Sequence, residues 1–107
     1  MIQRTEARRL SAKSEWSLIS SSLPPALAAL SAARLKSKIV RARKLRTKYQ
    51  DLYRRQKLSA RPRMTGTPKE KLNVRTARKK QMFEEAIVRL RLQLSKVSSE
   101  RPRQAKL

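Results

Sequence analysis

Two segments of the chain repeat apolar residues at helical spacing. In the first, over residues 32–58, they are Leu35, Ile39, Ala42, Leu45, Tyr49, Leu52 and Tyr53. Steps of three and four place these residues on one side of a helix, in a pattern similar to a coiled-coil heptad. Val40 falls alone on the far side, whereas Lys38 and Arg46 fall inside the apolar arc. The pattern predicts one long amphipathic helix with Ser31 as its N-cap, ending at Gln56 or Leu58.

The second segment carries an apolar seam between residues 82 and 97. Its members are Met82, Phe83, Ala86, Ile87, Leu90, Leu94 and Val97. The run Thr67-Pro68-Lys69-Glu70 predicts the start of this helix, because a Thr cap followed by Pro and a Glu at the third position form a capping box. Asn73 and Val74 predict a break or restart within it. Residues 98–107, with Pro102 and several cations, predict a disordered basic tail.

Shorter helical signals precede these two segments. Ser11 or Ser14 is the predicted cap of a short helix that ends near Leu23, because the residue before a proline avoids the α conformation. Pro25 suits the first position of a further turn or two. The apolar residues of this region are Trp16, Leu18, Ile19, Leu23, Leu27 and Leu30.

Together the patterns predict an all-α fold. Residues 31–97 are expected to form a small antiparallel hairpin of two long helices, joined by a basic irregular connector at residues 59–67. Residues 1–30 then pack on it as a short N-terminal helical segment. A two-chain alternative pairs the Leu35–Tyr53 seam with its own copy as a homodimeric coiled coil. A core of this size is marginal, so partial folding without a partner is expected.

Charge indicates the class of partner. The 107 residues include 29 Lys or Arg and 7 Asp or Glu, for a formal net charge of +22. Seventeen of these net charges lie between Ser31 and Lys80. Like charges at this density repel one another, and binding to a polyanion relieves the repulsion. Nucleic acid is therefore the expected partner, with an anionic membrane surface second.

The composition argues against several other classes. Without Cys or His, and with a single Gly, the chain lacks the usual zinc ligands, the commonest general base and a Gly-rich phosphate loop. Glu84 and Glu85 are adjacent and point ~100° apart on a helix, so they do not converge. The uncharged stretch 17–33 is too short and too rich in Ser and Pro for a membrane span. We expect no catalysis, metal, cofactor or small-molecule substrate.

The candidate interface is the basic face of the first long helix. A stripe with ~10.5 Å between successive cations is formed by Arg34, Arg41, Lys48 and Arg55. Neighbouring cations broaden it: Lys36, Arg43, Lys44 and Arg54 on the same helix, and Arg61 and Arg63 in the connector. A second cluster begins the next helix: Arg75, Arg78, Lys79 and Lys80. Because cations at a helix N-terminus oppose its dipole, self-stability does not favour this cluster, and we assign it to the same partner.

The aromatic residues indicate how the partner is bound. They are Trp16, Tyr49, Tyr53 and Phe83, and all lie among apolar residues, which favours the core over stacking on bases. Amide side chains that read base edges are few. The sequence therefore predicts phosphate-backbone contact without strong sequence preference, most readily to duplex DNA.

Several biological settings are compatible with this prediction. The leading one is a cytoplasmic DNA-binding protein of nucleoid-associated or regulatory type. The alternatives are a protein bound to structured RNA or the ribosome, and a helical protein-interaction module. Residues 1–22, which contain several Arg and Ser, also fit the composition of an organellar targeting segment.

Overall fold

Two long helices form the framework of the molecule. The computed structural model describes the backbone of residues 1–60 and 68–105, and the side chains of residues 1–58 and 73–98. The described elements are α1 (Arg4–Leu10), α2 (Lys13–Ser21), a 3₁₀ helix (Ala26–Ala29), α3 (Ala32–Ala60) and α4 (Pro68–Ala105). No strand occurs in these ranges, so the predicted all-α class is confirmed.

α3 begins and ends close to its predicted limits. The Ser31 hydroxyl accepts a hydrogen bond from the Arg34 backbone N–H at 3.3 Å, which confirms Ser31 as the cap. The helix then continues without Gly or Pro to Ala60, two residues beyond the later of the predicted ends. Its sequence is rich in Ala, Leu, Arg and Lys, which are strong helix formers.

α4 differs from its prediction in two places. It is continuous through Asn73, so the predicted break is wrong: the Asn73 amide donates to the Tyr53 carbonyl of α3 at 3.1 Å instead of interrupting its own helix. It also extends to Ala105, past residue 98, where the sequence predicts a disordered tail. The capping box at 67–70, the connector side chains and the side chains of 99–107 lie outside the described residues.

The core lies where α3 and α4 pack against each other in antiparallel orientation. Its fully buried members include Leu35, Ala42, Phe83, Ala86 and Leu90. The rings of Tyr49 and Phe83 stack with centroids 5.8 Å apart. Val40 is 54% exposed, as predicted. The α3 seam is thus covered by α4 of the same chain, as in the predicted antiparallel hairpin.

The N-terminal segment packs against the hairpin and completes the core. Ile2, Ala7, Leu18 and Ile19 are buried in one cluster with the two seams. Residues 1–22, the candidate targeting segment, are therefore an integral part of this fold. α1 is a helix that the apolar pattern does not predict. No described helix is long and apolar enough to cross a membrane.

The start of α2 corrects a prediction. Its N-cap residue is Ala12 rather than Ser11 or Ser14, and the Glu15 carboxylate accepts a hydrogen bond from the Ala12 backbone N–H at 2.9 Å. A carboxylate at this position satisfies one of the free N–H groups of the first turn, so a hydroxyl cap is not required. α2 ends at Ser21, near the predicted limit.

Candidate nucleic-acid interface

The outer side of α3 is a cationic surface. Its exposed cations are Arg34, Lys36, Arg41, Arg43, Lys44, Lys48, Arg54, Arg55 and Lys57. Apart from Lys57 in the last turn, burying the apolar seam against α4 turns these positions toward solvent, because they and the seam occupy different arcs of one helix. Asp51 is the exposed acid on the same helix. Lys57 is not in the predicted set. It lies 18 residues, or five helical turns, after Ile39 and so falls on the seam side, but it is exposed in the last turn of α3.

These α3 cations have few internal partners. Within the described part of the chain, none of them forms an ion pair. Arg41 donates to the Ser14 carbonyl at 3.4 Å. The Lys48 and Lys57 ammonium groups lie 5.4 and 5.8 Å from the ring centroids of Tyr49 and Tyr53. Among the described residues, the charge of the surface is therefore not neutralised by ion pairs.

The cations at the start of α4 are in a different environment. Arg78 pairs with Glu6 of α1 through Nε–Oε1 and Nη2–Oε2 contacts of 2.8 and 2.6 Å, and this hydrogen bonding holds the pKa of Glu6 below its ordinary value. Lys80 pairs with Glu84 one turn away at 3.4 Å. Lys79 is mostly buried, whereas Arg75 is exposed.

Lys79 belongs to a buried polar cluster that joins three helices. Its ammonium lies 3.2 Å from Glu15 Oε1 and 3.2 Å from the Tyr49 hydroxyl. The Tyr49 hydroxyl also donates to Glu15 Oε2. Burial raises the pKa of Glu15, but hydrogen bonds from Tyr49, Ala12 and Lys79 outweigh it and lower the pKa overall. Burial, reinforced by Glu15, raises the pKa of Tyr49.

The cations at the start of α4 contribute to the stability of the fold, which corrects the expectation from the helix dipole that self-stability does not favour Arg78, Lys79 and Lys80. The structure supplies carboxylate partners for all three, two of them from the N-terminal segment. The helix dipole acts most strongly within the first turn. Because α4 begins at Pro68, these three residues lie beyond that turn. Their role in binding stays a prediction, and Arg75 is the exposed member.

Further polar contacts hold the N-terminal segment in place. Glu85 accepts from the Ile2 backbone N–H at 3.0 Å. Arg89 donates to the carbonyl and hydroxyl of Ser22 at 3.1 and 3.0 Å, and its burial lowers its pKa. Glu84 and Glu85 thus have separate partners, as their adjacency predicts. The described acidic residues form no group that could hold a metal ion.

A polar groove adjoins the cationic surface where α2 lies beside α3. It has a volume of about 440 Å³ and is lined by Ser17, Ser21, Leu30, Arg34, Ser37 and Lys38. Hydroxyl and cationic groups in this combination are common contacts to phosphate oxygens. Sequence reasoning does not find this groove, since nothing in the pattern places α2 beside α3.

The predicted roles of the aromatic residues are partly confirmed. Tyr49 and Phe83 are buried, and Trp16 packs against the core while remaining half-buried. Tyr53 is half-buried beside Lys57. Arg61 and Arg63 lie outside the described residues. Other exposed cations absent from the predicted set are Arg4, Arg8, Arg9, Lys13, Arg91 and Lys96.

Comparison of the chain with protein-family models, with curated proteins and with solved structures finds no match. The charge and geometry of the α3 surface are therefore the basis on which a function is assigned.

Proposed function

We propose that the protein binds duplex DNA through phosphate-backbone contacts from the exposed cations of α3, as a nucleoid-associated or regulatory protein of the cytoplasm. The observation that carries this proposal is the contrast between two sets of cations. Arg78, Lys79 and Lys80 on α4 each have a carboxylate partner. The exposed cations of α3 have no ion pair within the described residues.

This contrast favours a polyanionic partner over a merely solvated helix face. A solvated face ordinarily mixes Glu with Lys, because pairs four residues apart stabilise a helix. On α3 the nine exposed cations accompany Asp51 alone among exposed acids. Phosphates along a nucleic acid neutralise such a surface and release their condensed counterions, which supplies the driving force for binding.

The shape of the surface supports a duplex rather than a single strand. Arg34 and Arg55 are 21 residues apart, so the cations extend over ~31 Å of straight helix. A duplex presents a regular, rigid array of phosphates on this scale. Single-strand binders place exposed aromatic rings among their cations. Here Tyr49 and Phe83 are buried, and Trp16 and Tyr53 are half-buried.

The salt dependence of DNA binding tests the proposal. The variant R34Q/R41Q/K48Q/R55Q removes four cations from α3, and each lost phosphate contact lowers the magnitude of the log Kobs–log [salt] slope by ~0.9. We expect a decrease of ~3–4. The matched control R8Q/R9Q/K13Q/R91Q removes four exposed cations of the other helices and should change the slope much less.

Binding is measured by fluorescence anisotropy with nuclease-treated protein, using duplex DNA, a folded RNA and anionic liposomes at ~150 mM salt. Tighter binding to duplex DNA, weakened by the α3 variant, supports the proposal. Tighter binding to folded RNA assigns the surface to RNA instead. Binding to liposomes alone, equal effects of the two variants, or no binding to any of the three overturns it.

A further inference from the structure

The most outward-facing positions of α3 are not occupied mainly by cations. At ~100° per residue, the line opposite the buried seam passes through positions three, four or seven apart. Its exposed members are Ala33, Ser37, Val40, Lys44, Thr47, Asp51, Arg55 and Leu58. We call this set the outer line. Lys44, Asp51 and Arg55 are its charged members, and the others are short or apolar.

Cations flank the outer line on both sides. One flank consists of Arg34, Arg41 and Lys48, and the other of Lys36, Arg43 and Arg54. The two flanks are separated by ~150° around the outward side of the helix. A helix that lies along a single strand of phosphates needs cations on one line that faces the strand. Two flanks that face apart are suited to two backbones, one on each side.

We propose that α3 lies in the major groove of B-form DNA, with its two flanks on the phosphates of opposite strands and the outer line toward the base edges. This inference rests on the proposed function and adds a mode of binding to it. The groove is ~12 Å wide and admits an α-helix, whose diameter is ~10–12 Å. Val40 and Asp51 are 11 residues apart, so this central part spans ~16 Å, or about five base pairs.

The outer line carries chemistry that base edges recognise. An ammonium such as that of Lys44 donates to O6 and N7 of guanine, and a carboxylate such as that of Asp51 accepts from N4 of cytosine. Methyl groups of Val40 and Thr47 suit contact with the methyl group of thymine. Binding then depends on sequence over these base pairs, whereas the sequence analysis predicts little preference.

The same geometry separates DNA from double-stranded RNA. The major groove of A-form RNA is deep and narrow, and side chains do not reach its base edges. An RNA duplex offers the α3 flanks phosphates without a groove that admits the helix. B-form DNA is therefore the duplex that both flanks and the outer line can contact together.

Blocking the major groove tests this inference separately from backbone binding. The probes are two DNA duplexes of one sequence, one with cytosine and one with glucosylated 5-hydroxymethylcytosine, whose sugar fills the major groove and leaves the phosphates unchanged. Anisotropy at ~150 mM salt measures both affinities for the wild type, for K44A/T47A and for the control R91A/S95A. The control removes a cation and a hydroxyl from exposed positions of α4.

The wild type and the control are expected to bind the blocked duplex at least about tenfold more weakly, the size of one lost base contact. K44A/T47A should bind the open duplex more weakly and show a smaller difference between duplexes. Equal affinity of the wild type for both duplexes overturns groove binding and leaves the proposed function standing. Absence of binding to either duplex overturns the proposed function, and groove binding with it.

Discussion

The ion pair between Glu15 and Lys79 is expected to contribute more to stability than the exposed ion pairs of the molecule. The side chains of Glu15 and Lys79 are 7% and 16% exposed, against 46% and 35% for Glu84 and Lys80. In E15Q the amide oxygen still accepts from the Ala12 N–H, but the Lys79 ammonium loses its carboxylate and the Tyr49 hydroxyl loses its acceptor. Breaking a buried ion pair costs ~3–5 kcal/mol. Because water reaches part of Lys79, we expect about 2–3 kcal/mol.

The matched control is E84Q. It removes the same single negative charge from a protein of net charge +22, so any general increase in repulsion is common to both variants. Its pair with Lys80 is exposed and one helical turn apart, and such pairs contribute ~0.3–0.5 kcal/mol. The difference between the two variants therefore reports the buried contacts of Glu15 with Lys79 and Tyr49 rather than net charge.

Urea denaturation at ~0.5 M salt, where repulsion among exposed cations is screened, measures both variants. Circular dichroism follows the helices, and fluorescence of Trp16, the only Trp in the chain, follows α2. With an m-value of ~1–2 kcal/mol/M, the midpoint for E15Q should fall by about 1–3 M and that for E84Q by less than about 0.5 M. Equal midpoints for the two variants would refute the assignment of Glu15 and Lys79 as a buried structural pair.

Two further predictions concern acid stability and the core. The pKa of Glu15 in the folded protein lies below its ordinary value of 4.5. At pH values between these two pKa values, the unfolded chain therefore binds more protons than the folded one. The contribution of ionised Glu15 to the free energy of unfolding is complete above pH 4.5 and is lost as the pH falls through the folded pKa. Denaturation profiles from pH 7 to 3 should thus fall less steeply for E15Q, and identical profiles would contradict this. Phe83 is fully buried and stacked on Tyr49, so F83A should lower the free energy of unfolding by ~3–5 kcal/mol. V88A, at a position 57% exposed, should change it by less than about 0.5 kcal/mol, and similar effects of the two would argue against the core described.

Apolar periodicity predicts the long helices because each carries its own signal. Leu35 and Ala42 on α3, and Phe83 and Leu90 on α4, lie on seams that need a partner, and a chain of this length offers each seam the other. Ser31 adds a local capping signal. These features depend on residues close together in sequence, so they are readable without knowledge of the rest of the fold.

α1 and the polar cluster could not be predicted in the same way. Ile2 and Ala7 are too few to form an apolar repeat, and they are buried by residues of distant parts of the chain. Glu6 and Arg78 are 72 residues apart, and Glu15 and Lys79 are 64 apart. No local rule pairs charges at such distances. The α4 cations therefore resemble the α3 cations in the sequence, although their surroundings in the fold differ.

The placement of the acids has a consequence for α3 that stability measurements can detect. Glu6, Glu15 and Glu85 contact other parts of the chain, and Glu84 pairs with Lys80 on its own helix. The α3 cations are left to repel one another.

Lys44 shows the effect most directly, since Arg41 and Lys48 lie three and four positions away on the same helix. Each like-charged neighbour at this spacing destabilises a helix by ~0.2–0.5 kcal/mol. K44Q should therefore stabilise the free protein by about 0.4–1 kcal/mol at ~10 mM salt, and by almost nothing at ~1 M, where the Debye length is ~3 Å. The same variant should bind duplex DNA more weakly. A stabilising substitution that weakens binding is the behaviour expected of a cation retained for a partner. Loss of stability in K44Q at low salt, or a gain that persists unchanged at 1 M, would show instead that Lys44 serves the fold.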